Sequence, residues 1–167
     1  MDTKLKAFLD LISFSEGTSL SPLTKNDGYD VIVSGVKGKS VFTDYAKHPF
    51  EDGGEVIVRT GPPELASTAA GRYQLLARYW KDYKVRLRLA DYSPASQDAV
   101  AVQQIRERKG LDLIEVGNIE GAIAACANIW ASLPGNSYHQ GGKSLEALLA
   151  KYQELLAVAS GDLQHTA

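Results

Sequence analysis

A mainly helical α+β domain, with a small antiparallel sheet lobe inserted after the first helix, is the fold this chain predicts. Three patterns point to it. Apolar residues recur at helical spacing near the start and again from Ser67 onward, β-branched residues alternate between Asp27 and Thr60, and Gly- and Pro-rich breaks separate the two regimes. At 167 residues, 44% of them hydrophobic, the chain can bury one substantial core. It reads as a single domain over residues 1–167, with 160–167 a frayed tail.

The first helix, Ala7–Gly17, places Phe8, Leu11, Ile12 and Ser15 on one face, which Leu5 and Leu9 widen. Glu16 falls where that helix stops, because Gly17 suits a left-handed cap. A carboxylate there lies beside unpaired carbonyls and the negative end of the helix dipole. That disfavours its charged form and suits general-acid work near neutral pH. A solvated glutamate at a helix end is the bland alternative.

Asp27-Gly28 then opens a turn into a strand where Tyr29, Val31 and Val33 alternate with Asp30 and Ile32, ended by Ser34-Gly35. Val41-Phe42-Thr43 is a short partner and Glu55–Thr60 a third strand, so residues 27–60 make the sheet lobe. Asp30 is the second carboxylate candidate, with the solvent face of an amphipathic strand as its alternative, and Asp44 is a weaker third.

Helical patterns resume at Ser67 or Thr68, either of which caps a helix using Tyr73, Leu75, Leu76, Tyr79 and Trp80. Ser93-Pro94 starts another, with serine at the cap and proline in the first turn; it carries Ala99, Val100, Val102, Gln103 and Ile105 and is closed by Gly110. Leu111–Val116 is short and apolar. Asn118 caps Ile119–Trp130, whose alanines allow close packing, and Lys143–Ala159 is the last helix.

Two long loops remain, Tyr45–Leu65 and Ser132–Gly142. Loops of this length in a compact domain are usually functional or disordered. Their aromatic, amide and hydroxyl groups, Tyr138 and Gln140 among them, are those a sugar-binding groove uses, though each also reads as a solvated loop side chain. Their glycines and prolines predict movable lips of one groove.

Several function classes fall away. The net charge of −2 and the lack of a basic patch argue against nucleic acid, since Arg106, Arg108 and Lys109 read as the last turn of a helix. The lone Cys126 allows no internal disulfide and reads as a small buried hydrophobe. With only His48, His139 and His165, and no CxxC or HExxH, no metal constellation and no cofactor are expected. Missing GxSxG, P-loop and GxGxxG motifs argue against a serine hydrolase, an NTPase or a dinucleotide enzyme. Asp10 and Ser13 interrupt the apolar start, which is neither a secretory segment nor a membrane span. The expectation is a chain made and folded in the cytoplasm, without membrane insertion, and monomeric.

The motifs SEGT at Ser15–Thr18, GYDV at Gly28–Val31, FTDY with HP at Phe42–Pro49, STAAGRYQLL at Ser67–Leu76, SPASQDAVAVQQI at Ser93–Ile105, and NIWASLPG at Asn128–Gly135 with Tyr138 together resemble the lambda-type phage endolysins. The likeness runs in the same order from Lys6 to about Lys151, and the stretch Phe50–Pro63 departs from the family pattern. The resemblance implies a lysozyme-superfamily fold. It also implies a lytic transglycosylase that cuts peptidoglycan between N-acetylmuramic acid and N-acetylglucosamine, leaving 1,6-anhydro-muramic ends. Glu16 is then the one acid-base group, and the segment Gly71-Arg72-Tyr73-Gln74 lines the groove beside it. Gln74 and a Ser67 or Thr68 hydroxyl are hydrogen-bonding partners, and Tyr138 approaches from the opposite lip. Arg72 and Tyr73 read equally as surface charge and helix packing. Tyr29, Asp30 and Gln140 complete the substrate-binding candidates. A hydrolytic muramidase pairing Glu16 with Asp30 and a catalytically silent glycan-binding protein stay open as alternatives. The implied partners are peptidoglycan glycan strands and, indirectly, a holin that permeabilises the membrane so that a chain made in the host cytoplasm reaches the periplasmic murein.

Overall fold

The structure, a computed structural model, describes residues 1–135 and 142–161. Its elements in chain order are α1 (Thr3–Glu16), β1 (Val31–Gly35), β2 (Gly38–Val41), β3 (Val56–Arg59), β4 (Leu65–Ser67), β5 (Ala69–Ala70), β6 (Leu75–Leu76), α2 (Ala77–Arg86), α3 (Pro94–Glu107), α4 (Gly110–Glu115), α5 (Ile119–Cys126) and α6 (Leu145–Ser160). They form two compact units, Met1–Glu16 with Ala101–Ala167, and Gly17–Val100.

The first unit is helical. α1 starts before its apolar pattern does, because the Asp2 carboxylate accepts the amides of Lys4 and Leu5 at 2.9 and 3.2 Å and satisfies two of the first turn's unpaired donors. Its apolar face packs on α6 and α4, and α4 packs on α5. Phe8, Ile12, Ile105, Ile114, Ile123 and Leu148 are buried here, each contributing about 1.5–3 kcal/mol by leaving water. Cys126 is fully buried among them. Lys4 Nζ reaches the Glu115 carbonyl at 2.7 Å and ties the start of α1 to the end of α4. Asn118 caps α5 by accepting the Gly121 amide at 2.9 Å, and Ser144 opens α6 by accepting that of Ala147 at 3.1 Å. Further boundaries also differ from the sequence expectation. α5 stops at Cys126, short of Trp130, and Gly110 begins α4 instead of closing α3, because Lys109 takes the left-handed conformation at φ 59°.

The second unit holds an antiparallel sheet in the order β2-β1-β5-β6 and a separate β3–β4 pair. β1 begins at Val31, so Tyr29 and Asp30 belong to the turn before it. β2 ends at Val41 and leaves Phe42 and Thr43 outside. The EVIVRT run does form a strand, β3, so Tyr45–Leu65 is not one loop. The largest departure is residues 67–76, expected as helix and found as strand: β5 pairs with β1 through Ile32 and Ala70, and β6 pairs back on β5. The turn between β5 and β6 uses Gly71 at φ 79° and Gln74 at φ 50°. Glycine is needed at 71 on two counts, its positive φ and its crowding, since a Cβ there would lie 2.3 Å from Gln97 Oε1. α2 begins only at Ala77, whose amide donates to Thr68 Oγ1 at 3.2 Å.

Leu75, Trp80, Tyr92 and Val100 make the core of this unit, with Phe42, Tyr83, Leu87 and Leu89 packed on it. His48 is buried against Tyr92, ring centroids 4.7 Å apart. Its Nδ1 accepts the Phe50 amide at 3.1 Å, so the proton sits on Nε2 and is donated to the Leu75 carbonyl at 2.9 Å. Burial lowers its pKa and favours this neutral form. His48 therefore staples its segment to β6, which sets aside the solvated-loop alternative for this residue.

Candidate active site

Glu16 is the last residue of α1, and Gly17 leaves the helix at φ 76°. The Ser132 hydroxyl donates to Glu16 Oε1 at 2.5 Å, and the Ser15 hydroxyl donates to the Ser132 carbonyl at 3.1 Å. Two adjacent residues of α1 are thus clasped to one residue far along the chain. Burial raises the Glu16 pKa above the usual carboxylate range; the side-chain and backbone hydrogen bonds of Ser132 and the charge of Lys143 only partly offset it. Lys143 Nζ sits over the Phe14 ring at 4.6 Å. The raised pKa keeps the group protonated to higher pH than an ordinary carboxylic acid, as a proton donor requires.

Ser132 was not anticipated. It lies in a Gly- and Pro-containing turn whose only local signal is the small-residue run ASLPG. Ser132→Ala removes a hydrogen bond that favours the charged carboxylate, so the Glu16 pKa rises further. An acid must be protonated to act, so the alkaline limb of the pH–rate profile on murein is expected to move to higher pH. A shift to lower pH would count against Glu16 as the acid.

In the second unit Asp30 is buried, only 4% exposed, and is not on the solvent face of a strand. Oδ1 accepts the Thr24 hydroxyl and Oδ2 the Lys25 amide at 2.8 Å. Thr24 Oγ1 in turn accepts the amides of Gly28 at 2.8 Å and Asn26 at 3.3 Å. Both carboxylate oxygens hold the turn 24–30 closed, and the Asp30 carbonyl takes the Phe42 amide at 2.8 Å. Asp44 is exposed and accepts the Ala46 amide at 2.8 Å.

Tyr29, Arg72 and Tyr73 come together with a residue that the sequence reading missed. The phenols of Tyr29 and Tyr73 both donate to Asp98 Oδ1, at 2.8 and 2.6 Å. The Arg72 guanidinium lies over the Tyr29 ring at 4.9 Å and pairs with Asp27. Burial pushes the Tyr29 phenol up to about 12 and the Tyr73 phenol further still, so both stay protonated as donors. Arg72 is 4% exposed, which excludes the surface-charge reading, and Tyr73 lies in the β5–β6 turn, which excludes the helix-packing one. Gln97, also missed, accepts the Arg72 amide at 2.9 Å and donates to the Tyr29 and Tyr92 carbonyls, each at 3.0 Å. Gln74 Nε2 donates to the Gly71 carbonyl at 3.0 Å. The network fixes the 24–30 and 71–74 turns to the start of α3.

Ser67 and Thr68 line an open cleft of about 560 Å³. Tyr138 and Gln140 lie outside the described residues. Among the described residues, no group of three or more His, Cys, Asp or Glu could hold a metal ion, and no helix is long and apolar enough to cross a membrane.

The sequence model of the family described as Endolysin matches residues 6–159. The endolysin of Escherichia phage P2 is 53% identical over 152 residues, which cover 89% of this chain and 90% of the relative. That of Escherichia phage lambda is 49% identical over 155 residues, 92% of each. Among solved structures, bacteriophage lambda lysozyme complexed with a chitohexasaccharide is similar at TM-score 0.83 and 49% identity, covering 93% of this chain and 95% of that one. A second structure of lysozyme from bacteriophage lambda is similar at TM-score 0.74 and 43% identity, covering 100% and 98%.

Proposed function

The chain belongs to the endolysin family and has its lysozyme-like fold, and on that premise we propose that it degrades peptidoglycan as a lytic transglycosylase. It cleaves the β-1,4 bond from N-acetylmuramic acid to N-acetylglucosamine and leaves 1,6-anhydro-muramic ends. The relative solved with a chitohexasaccharide supports a β-1,4-linked amino-sugar polymer as the ligand class.

The contrast between two carboxylates carries the choice of chemistry. Glu16 is buried with a raised pKa, whereas Asp30 is bonded at both oxygens inside its own turn. A retaining hydrolase needs a second carboxylate free as nucleophile, and an inverting one needs a base to activate water. A transglycosylase needs neither, because the substrate supplies the nucleophile. Protonated Glu16 gives its proton to the glycosidic oxygen as the bond to C1 breaks. The muramic acetamido oxygen stabilises the positive C1. The Glu16 carboxylate then takes the proton of the muramic C6 hydroxyl as that oxygen bonds to C1, which regenerates the acid and consumes no water.

The proposal includes a monomeric enzyme made in the host cytoplasm and a holin whose pores give it access to the periplasmic murein. Mass spectrometry of fragments released from purified murein tests the chemistry. Muropeptides one water lighter than reducing-end fragments are expected. Reducing-end products overturn it in favour of the hydrolase, and no release at all favours a silent glycan-binding protein.

A further inference from the structure

The cleft of about 560 Å³ that holds Ser67 and Thr68 lies where β4 meets the start of α2, within the second unit. Its volume suits a small ligand. Among the described residues no aromatic side chain lines it, and so none of them gives the stacking floor on which a pyranose ring rests. Instead Arg78 and Lys81 face it with Glu55 and Asp82, two charges of each sign, above the small apolar surface of Ala66, Ala77 and Leu76. Among the described residues, the side chains of Glu55, Lys81 and Asp82 make no ion pair or hydrogen bond, and that of Arg78 is engaged only with the Tyr79 ring and hydroxyl. The Ser67 and Thr68 hydroxyls each accept a backbone amide, from Ala69 and Ala77, both at 3.2 Å. Each therefore keeps its own O–H to donate.

A glycan strand without peptide offers a lactyl carboxylate on each muramic residue but no ammonium, so of these four groups it matches at most the two cations. A short peptide with free carboxylates, a free ammonium and methyl side chains matches all of them: carboxylates to Lys81 and Arg78, the ammonium to Asp82 and Glu55, carbonyls to the two hydroxyls, methyls to the alanines. We propose that this cleft binds the zwitterionic stem peptide that peptidoglycan carries on its muramic residues, as a subsite additional to that for the glycan. This rests on the murein-degrading function proposed above.

Intact murein and glycan strands stripped of peptide by an amidase separate the two ideas. The wild type is expected to prefer the peptide-bearing polymer in kcat/KM. Lys81→Glu and Asp82→Lys, both on the exposed face of α2, each lower that preference about tenfold, the loss of one charge-assisted contact. Lys39→Glu on exposed β2 is the charge-matched control for Lys81→Glu and leaves the preference unchanged. An unaltered preference in both cleft variants, or an equal fall in the control, overturns the proposal. If the wild type degrades neither polymer, the murein-degrading reading is what fails. Titration with the free tetrapeptide (L-Ala, D-Glu, a diamino acid, D-Ala) then decides for the cleft: NMR shifts at Thr68, Lys81 and Asp82 uphold it, and shifts elsewhere or none refute it.

Discussion

Glu16→Gln is expected to lower murein clearance by a factor on the order of 100 to 10,000, the usual worth of a positioned general acid, while making the folded chain more stable at neutral pH. Glutamine keeps the size of the side chain and an oxygen to accept the Ser132 hydroxyl, but it has no proton to give. The gain in stability follows from the raised pKa. The folded chain holds the Glu16 proton more tightly than the unfolded chain does, so wild-type stability falls as pH rises from the ordinary value of 4.5 through the raised one. Glutamine is neutral throughout and escapes that loss. The two proteins should melt alike below about pH 4 and diverge in favour of the variant at pH 8. Melting curves at both values, with turbidity clearance of outer-membrane-stripped cells, make the test. A folded Gln variant that clears cells at the wild-type rate, or one less stable than wild type at pH 8, would remove Glu16 from the acid's role. A gain in stability with loss of function is the pattern expected of a group placed for chemistry against the preference of the fold.

How legible this arrangement is in the sequence depends on how local its causes are. α1 and its terminal Glu16 can be read directly, because a helical apolar stripe and the glycine after it are sufficient to place both. The capping residue of α5 and the strand β3 are legible for the same reason. The stretch 67–76 is misread because Tyr73, Leu75 and Leu76 fall at helical spacing, while the pairing that makes it a hairpin comes from Ile32, far off in the chain. The partners of the site residues are likewise distant. Ser132 reaches Glu16 across 116 residues, and Asp98 reaches Tyr29 across 69. Gln97 and Asp98 sit side by side near the start of α3 and look like ordinary solvated helix residues until the turns they hold are folded onto them. Local pattern thus places Glu16, and only the tertiary fold shows what tunes it.

Asp30→Asn is expected to loosen the 24–30 turn and to weaken lysis less than Glu16→Gln does, with the products still anhydro-muropeptides. Thr24 Oγ1 already accepts two amides, from Gly28 and Asn26, so its hydroxyl proton must be donated, and Asp30 Oδ1 receives it. Oδ2 receives the Lys25 amide. An asparagine can present its oxygen to only one of these donors and must turn its NH₂ toward the other, donor against donor in a buried site. Such a mismatch costs about 1–3 kcal/mol, which chemical denaturation should report. Catalysis falls only as far as the looser turn disturbs the side chains packed near it. The two enzymatic readings part at this point. A nucleophile or water-activating base acts as a unit with its acid, so neutralising either inactivates to a similar degree, and the wild type releases reducing ends. Equal inactivation by Asp30→Asn and Glu16→Gln, together with reducing ends from the wild type, would make Asp30 a reacting group whose hydrogen bonds open when substrate binds. Partial loss with anhydro ends leaves Glu16 alone in the chemistry and gives Asp30 the role its geometry supports: a buried carboxylate whose two oxygens keep one turn in shape.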